Sequence, residues 1–186
     1  MTGKARQMRA PGRGEEVGTG EDLFGRFFAR WEPQVRRYLI WLEGDASVID
    51  DAAQETMISA HRYWTTVCGL ENPRAWLFKV AGQRLGDAQA ARRKLGLSTD
   101  PHLLPDHSRF VQPRDQFAVC DARTDILESV RKLPAQQARA VALQAQYDLP
   151  LDEIAAIMGI STGSVKTHLH HARKALRVLL GEDEGG

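Results

Sequence analysis

The sequence predicts an all-α protein made of two small helical domains joined by a flexible linker. Apolar residues recur at three- and four-residue steps in two long stretches, and no useful length of strand-like alternation occurs. A proline-containing segment without any period separates the two stretches. A chain of 186 residues can hold two small domains, each with a modest core. Its 42% apolar and 26% charged residues give a globular balance.

The first domain is predicted to span residues 21–94, after a disordered arm at residues 1–20. The arm is rich in glycine and charge and has almost no large apolar side chain that could offset the entropy of ordering. The first helix follows from the spacing of Leu23, Phe27, Trp31, Val35, Leu39 and Leu42. We expect Pro33 to kink or restart this helix.

Two more helices complete the first domain. The second is predicted over about residues 47–64, with Asp45 or Ser47 as its N-cap, and residues 65–72 are predicted to form a loop. Its apolar stripe consists of Ile49, Ala53, Met57 and Ala60. Pro73 suits the first position of the third helix, which carries six basic residues against one acid up to residue 94.

Residues 95–123 are predicted to be the linker, because they contain Pro101, Pro105 and Pro113 and lack a sustained period. Helical spacing resumes after it and predicts a four-helix second domain over residues 124–180. An acidic tail, residues 181–186, follows.

The most informative stretch is residues 151–180, which predicts a helix-turn-helix. Gly159 can adopt the left-handed conformation that ends a helix, and Ser161 can cap the next one. In that second helix one buried stripe is predicted from Val165, Leu169, Ala172 and Leu176. The face left outward has cations and hydrogen-bonding groups but no acid, namely Ser164, Lys166, Thr167, His170, His171 and Lys174.

Such a face fits the DNA major groove, where phosphates supply affinity and base edges supply sequence. The alternative is a solvated helix surface. A metal pair at His168 and His171 is disfavoured because no cysteine or carboxylate lies nearby to complete a site. No metal site is therefore predicted.

Composition narrows the class of protein further. The two cysteines, Cys68 and Cys120, are too far apart for a zinc motif and indicate a reduced, cytoplasmic protein. No apolar run approaches the roughly 20 residues of a membrane span. The net charge of +1 hides an uneven distribution, with the basic residues gathered in the two segments predicted to touch DNA.

Together these residues resemble the extracytoplasmic-function (ECF) group of bacterial sigma factors. In the second domain, LPLDEIAAIMGISTGSVKTHLHHARKAL looks like the family's region four, which engages the minus-thirty-five promoter element. In the first, DDAAQETMISAHRYW resembles the core-binding part of region two, and NPRAWLFKVAGQRLGDAQAARRK resembles the segment that melts and captures the minus-ten element.

The resemblance implies a role for two further sets of residues. Asp51, Gln54 and Glu55 share one helical face by their spacing and would bind the clamp helices of core RNA polymerase, although without the family they read equally well as a solvated surface. The residues expected to contact the minus-ten element are Gln83, Arg84, Asp87, Arg92 and Arg93.

The predicted function is promoter selection and DNA melting by a sigma factor, monomeric when free, whose partners are core polymerase, including its flap, and promoter DNA. An anti-sigma factor is a further partner that the resemblance implies, although no residue here identifies one. The alternative is a conventional helix-turn-helix regulator with an N-terminal sensor domain. No catalytic residue or cofactor is predicted, because the sequence has no phosphate loop, nucleophile elbow or metal-ligand set.

Overall fold

The structure, a computed structural model, describes residues 20–95 and 121–181, and these residues form helices and no strand. The all-α prediction is therefore confirmed. The helices are α1 (Gly20–Leu42), α2 (Ala46–Arg62), α3 (Trp64–Val67), α4 (Pro73–Lys94), α5 (Asp121–Arg131), α6 (Ala135–Tyr147), α7 (Leu151–Met158) and α8 (Thr162–Leu179). We call α1–α4 the first domain and α5–α8 the second domain.

The first domain is built from α1, α2 and α4, and the structure corrects two local predictions for it in part. Helix α1 runs without interruption through Pro33, so it does not restart there. Trp31 and Val35 are buried on either side of the proline, and this packing offsets the lost backbone hydrogen bond. The predicted loop at residues 65–72 contains most of the short helix α3, whose Val67 is 1% exposed.

Helix termini follow the predicted signals elsewhere. Asp45 caps α2 by accepting a hydrogen bond from the amide of Ser47, and Asn72 caps α4 just before Pro73. In the second domain Gly159 takes φ +69° and ends α7, and the Ser161 side chain accepts from the amide of Ser164. The predicted helix-turn-helix is therefore present as α7 and α8.

The second domain has the four helices predicted, although α5 begins at Asp121, three residues earlier than expected. Its core includes Leu143, Ile154, Ile157 and Val165, all at most 1% exposed. The N-terminal arm, nearly all of the linker and most of the acidic tail lie outside the described residues.

Sequence reasoning did not foresee that the two domains pack against each other. The main cluster of buried apolar residues is continuous from Leu39 and Phe78 in the first domain to Leu143 and Ile154 in the second. Helices α5 and α6 lie against α1, and α7 lies against α4. The described part of the chain thus has a main core that both domains share, and a smaller cluster around Val130 and Leu133 lies beside it.

Candidate nucleic-acid and partner interfaces

The outer face of α2 presents the three side chains predicted to bind polymerase. Asp51, Gln54 and Glu55 are all exposed, while the opposite face of the helix, including Ala52 and Met57, is buried. Within the described residues no salt bridge is recorded for either carboxylate, whereas the neighbouring Asp50 is bound by Arg36. The face therefore carries two carboxylates that are available to a cationic partner.

A cleft of about 480 Å³ joins this acidic face to α4. Its lining includes Asp51, Gln54 and Glu55 from α2, and Arg84 and Asp87 from α4. The structure thus brings two of the five residues predicted for the minus-ten element next to those predicted for polymerase. The sequence placed these sets on separate helices and gave no sign that they share a cleft.

Arg84 is half-buried and already has partners within the protein. Its guanidinium donates to the Ser59 hydroxyl at 3.2 Å and to the Asp87 carboxylate at 3.4 Å. Its Nε is buried and has no hydrogen-bond partner in the described part of the chain. An unsatisfied donor of this kind is costly to bury, so a rearranged Arg84 with an external acceptor would be favoured.

Arg92 also has a buried Nε without a hydrogen-bond partner in the described part of the chain, but its terminal nitrogens bind the residue that caps α2. Its guanidinium lies 2.6 Å from the Asp45 carboxylate and 3.1 Å from the Ser47 hydroxyl, and the side chains of Arg92 and Asp45 are 13% and 15% exposed. Burial alone would raise the pKa of Asp45, but the hydrogen bonds from Ser47 and the charge of Arg92 leave this pKa below its usual value. Arg92 therefore joins α4 to α2, and the exposed pair Gln83 and Arg93 is freer to meet DNA.

The recognition helix α8 has the predicted two faces. Val165, Leu169 and Ala172 are buried, and Leu176 is half-buried. The exposed members of the predicted DNA-contacting set are Lys166, Thr167, His170, His171 and Lys174. Ser164 is half-buried, and its hydroxyl lies 2.9 Å from that of Ser161, so this residue is shared between the helix cap and the outer face.

A second groove, of about 560 Å³, lies between α1 and α2 and was not predicted. Its lining includes Phe24, Phe28, Met57, Ile58 and Gln54, so it borders the acidic face. Phe28 and Ile58 are 43% and 40% exposed. The i, i+4 spacing of Phe24 and Phe28, each one residue after a member of the predicted apolar stripe, was the signal that could have found it.

The described residues contain no group of three or more His, Cys, Asp or Glu side chains placed to hold a metal ion. No helix among them is long and apolar enough to cross a membrane.

Comparison with known proteins identifies both domains. Residues 27–95 match the family model for sigma-70 region 2, and residues 123–176 match that for sigma-70 region 4. The chain is 35% identical over 150 residues to the ECF RNA polymerase sigma factor SigL of Mycobacterium tuberculosis, covering 78% of this chain and 82% of SigL. It is 28% identical over 177 residues to the RNA polymerase sigma factor CarQ of Myxococcus xanthus, covering 88% and 92%.

Two solved structures share the fold. One is the sigma factor RpoE in complex with the anti-sigma factor NepR from Bartonella quintana, with a TM-score of 0.67 and 23% identity, covering 88% of this chain and 99% of that one. The other is CnrH in complex with the cytosolic domain of CnrY, with a TM-score of 0.59 and 22% identity, covering 88% and 91%.

The two helical domains and their order define a sigma factor, a non-enzymatic initiation factor that acts with RNA polymerase. Within that class, the chain belongs to the ECF RNA polymerase sigma factors. The conventional regulator with an N-terminal sensor is not favoured, because the first domain matches sigma region 2.

Proposed function

We propose that this sigma factor docks on the polymerase clamp helices through Asp51, Gln54 and Glu55. The observation that carries the proposal is that all three side chains are exposed on one face of α2, with no salt bridge recorded for either carboxylate among the described residues. Arginines on a partner could bind these carboxylates by charge-assisted hydrogen bonds.

Charge reversal tests this docking surface. Asp51→Lys/Glu55→Lys should weaken binding to core polymerase about tenfold or more, since attraction becomes repulsion at two positions. The matched control is Glu71→Lys/Asp152→Lys, which makes the same charge change at two exposed positions elsewhere. Titration of labelled protein with core polymerase, alongside circular dichroism, gives the comparison. Equal affinities for the two variants would refute the assignment.

We infer a second role for Gln83 and Arg93, which are exposed on α4 and bound by no partner in the described structure. They contact the separated strand of the minus-ten element, while Arg84 joins them once its contacts to Ser59 and Asp87 rearrange. Removing a base from the DNA stack costs a few kcal/mol of stacking and pairing free energy, and contacts to the extruded base and its strand offset this cost. Arg92 supports this surface by fixing α4 to the start of α2.

We propose a third role for the exposed face of α8, which binds the duplex of the minus-thirty-five element. Loss of one base contact there costs about 1–3 kcal/mol, so Lys166→Ala should weaken binding to duplex promoter DNA. Gln83→Ala should instead reduce transcription from duplex promoters and be rescued by a premelted minus-ten bubble. Transcription on both templates separates the two surfaces, and rescue of Lys166→Ala but not of Gln83→Ala would contradict the assignment.

An anti-sigma factor is proposed as a regulatory partner. The support is the α1–α2 groove with its exposed Phe28 and Ile58, which borders the acidic face. One sigma factor of the same fold, RpoE of Bartonella quintana, is known in complex with an anti-sigma factor, NepR. Phe28→Asp should abolish capture of an inhibitor co-expressed from the same genome while leaving the helical content unchanged.

A further inference from the structure

The two domains are joined by polar contacts that surround an aromatic cluster. Phe78 of α4 packs between Tyr38 of α1 and Tyr147 of α6, with ring centroids 5.1 and 4.7 Å away. Tyr147 donates its phenol hydrogen bond to the Gln34 carbonyl, and burial raises the pKa of both tyrosines. Tyr38 and Phe78 are fully buried and Tyr147 is half-buried, so the cluster draws rings from both domains.

An ion pair between α4 and α7 joins the two domains beside this cluster. The Arg74 guanidinium holds the Glu153 carboxylate through both oxygens, at 2.8 and 2.9 Å, and the Asn72 amide donates to the same carboxylate at 2.8 Å. The Arg74 and Glu153 side chains are 31% and 15% exposed. A bidentate, partly buried pair is among the stronger polar contacts a protein forms.

Two arginines of the second domain, from α5 and α6, bind groups of α1 in the first domain. Arg131 donates to the Ile40 carbonyl at 2.7 and 3.1 Å. Burial lowers the pKa of Arg131, although the negative charges of Glu43 and Glu128 act to raise it. Arg139 reaches across α4 at Gly82, where any β-carbon would lie 2.8 Å from its guanidinium. Gly82 precedes Gln83, so the second domain lies beside the surface proposed to capture the minus-ten strand.

This closed arrangement is incompatible with simultaneous binding of both promoter elements. Elements centred near positions minus ten and minus thirty-five are about 25 base pairs, or roughly 85 Å, apart in B-DNA. A compact body of the described size is only about 40 Å across. The 25 residues between Leu95 and Asp121 could span roughly 85 Å when extended, so the covalent chain permits the domains to separate.

We propose that the free protein is self-inhibited by this interface, and that the Arg74–Glu153 pair is a latch that must open before core polymerase and both promoter elements are engaged. The proposal rests on the function proposed above. Only the open fraction of the protein can then bind productively, so the apparent affinity for polymerase is reduced by that fraction.

Distance measurement in the full chain tests the closed state directly. Spin labels are placed at the exposed Cys68 of the first domain and at Gln136→Cys, an exposed position of the second, in a Cys120→Ser background. Electron–electron double resonance should give one narrow, short distance for the free protein and a much longer one after core polymerase is added. A broad, long distribution in the free protein would overturn the proposal.

Charge reversal then tests the latch. Glu153→Arg should raise the ratio of open to closed protein about tenfold or more, because it replaces a charged hydrogen-bonded pair by two like charges. Arg74→Glu/Glu153→Arg should restore the short distance. Asp152→Arg is the matched control, since this exposed neighbour on α7 carries the same charge and is not part of the pair. Opening by Asp152→Arg as well, or failure of the double variant to restore closure, would refute the latch.

The functional readout is the affinity of each variant for core polymerase. Glu153→Arg should bind core more tightly by the same factor as its open fraction rises, until the protein is fully open. An unchanged affinity despite opening would show that the interface does not inhibit. The distance measurements need no promoter, so a wild-type protein that closes correctly but supports no transcription would refute the proposed function and not the latch.

Discussion

Among single residues, Arg92 has a different role from the one that the sequence predicts, because it binds a carboxylate of its own domain. Arg92 and Arg93, at the end of α4, are equivalent in the sequence, and both are expected to contact the minus-ten element. The structure separates them, because Arg92 binds Asp45 at 2.6 Å whereas Arg93 is exposed. Residue type predicted the charge, but only the approach of α2 to α4 shows which charge is engaged.

The Asp45–Arg92 contact gives a prediction about stability. Asp45→Ala should lower the free energy of unfolding by about 1 kcal/mol or more, because it removes the N-cap of α2 and leaves Arg92 unpaired. Asp51→Ala, at an exposed position outside the cap, should change stability much less. Urea denaturation of both variants checks the prediction, and equal losses would contradict it.

The pKa of Asp45 also predicts how this contribution depends on pH. The folded-state pKa lies below the unfolded value, so the stabilisation is fully present above the unfolded value of about 3.9. It is lost as the pH falls through the lower folded-state pKa. The stability difference between wild type and Asp45→Asn should therefore be constant near neutrality and shrink below about pH 4. A difference that shrinks between pH 8 and 6 would contradict this assignment.

At the scale of elements, the turn of the helix-turn-helix depends on a glycine in a left-handed conformation. Gly159 has φ +69°, and Gly159→Ala should cost about 1–2 kcal/mol although no atom would clash with the added carbon. Gly25→Ala, in the interior of α1 with open space around it, should instead gain about 0.5–1 kcal/mol. Thermal unfolding of the two variants should shift in opposite directions, and a shared direction would contradict the argument.

Element boundaries show what a sequence can and cannot supply. The limits of α4, α7 and α8 follow from local chemistry, since Pro73, Gly159 and Ser161 act on their own neighbours. Helix α3 could not be predicted, because it is ordered by the burial of Val67 against the rest of the domain. The uninterrupted α1 was missed for the same reason, since tertiary packing outweighed the local effect of Pro33.

For the molecule as a whole, the core shared by the two domains could not be predicted from the sequence. Tyr38, Phe78 and Tyr147 each fit the core of their own domain by periodicity, and no pattern indicates that they meet. The sequence gives no sign of the polar contacts either, because Arg74 and Glu153 are 79 positions apart. Predicting two domains was possible from local spacing, whereas predicting their contact required the distances between them.

The shared core predicts that the two domains unfold together in the free protein. All four tryptophans of the chain lie in the first domain, and one of them, Trp41, also donates a hydrogen bond to Gln146 of the second. Their fluorescence therefore reports mainly on the first domain and, through Trp41, on the interface. Leu143 is fully buried in the second domain, within the core that both domains share. Leu143→Ala should therefore reduce stability by about 2–5 kcal/mol and shift the tryptophan-detected urea midpoint as much as the midpoint from far-ultraviolet circular dichroism. Two independent domains would behave differently, with the tryptophan midpoint unchanged and the dichroism curve split into two steps. That result would show that the interface is too weak to couple the domains in solution.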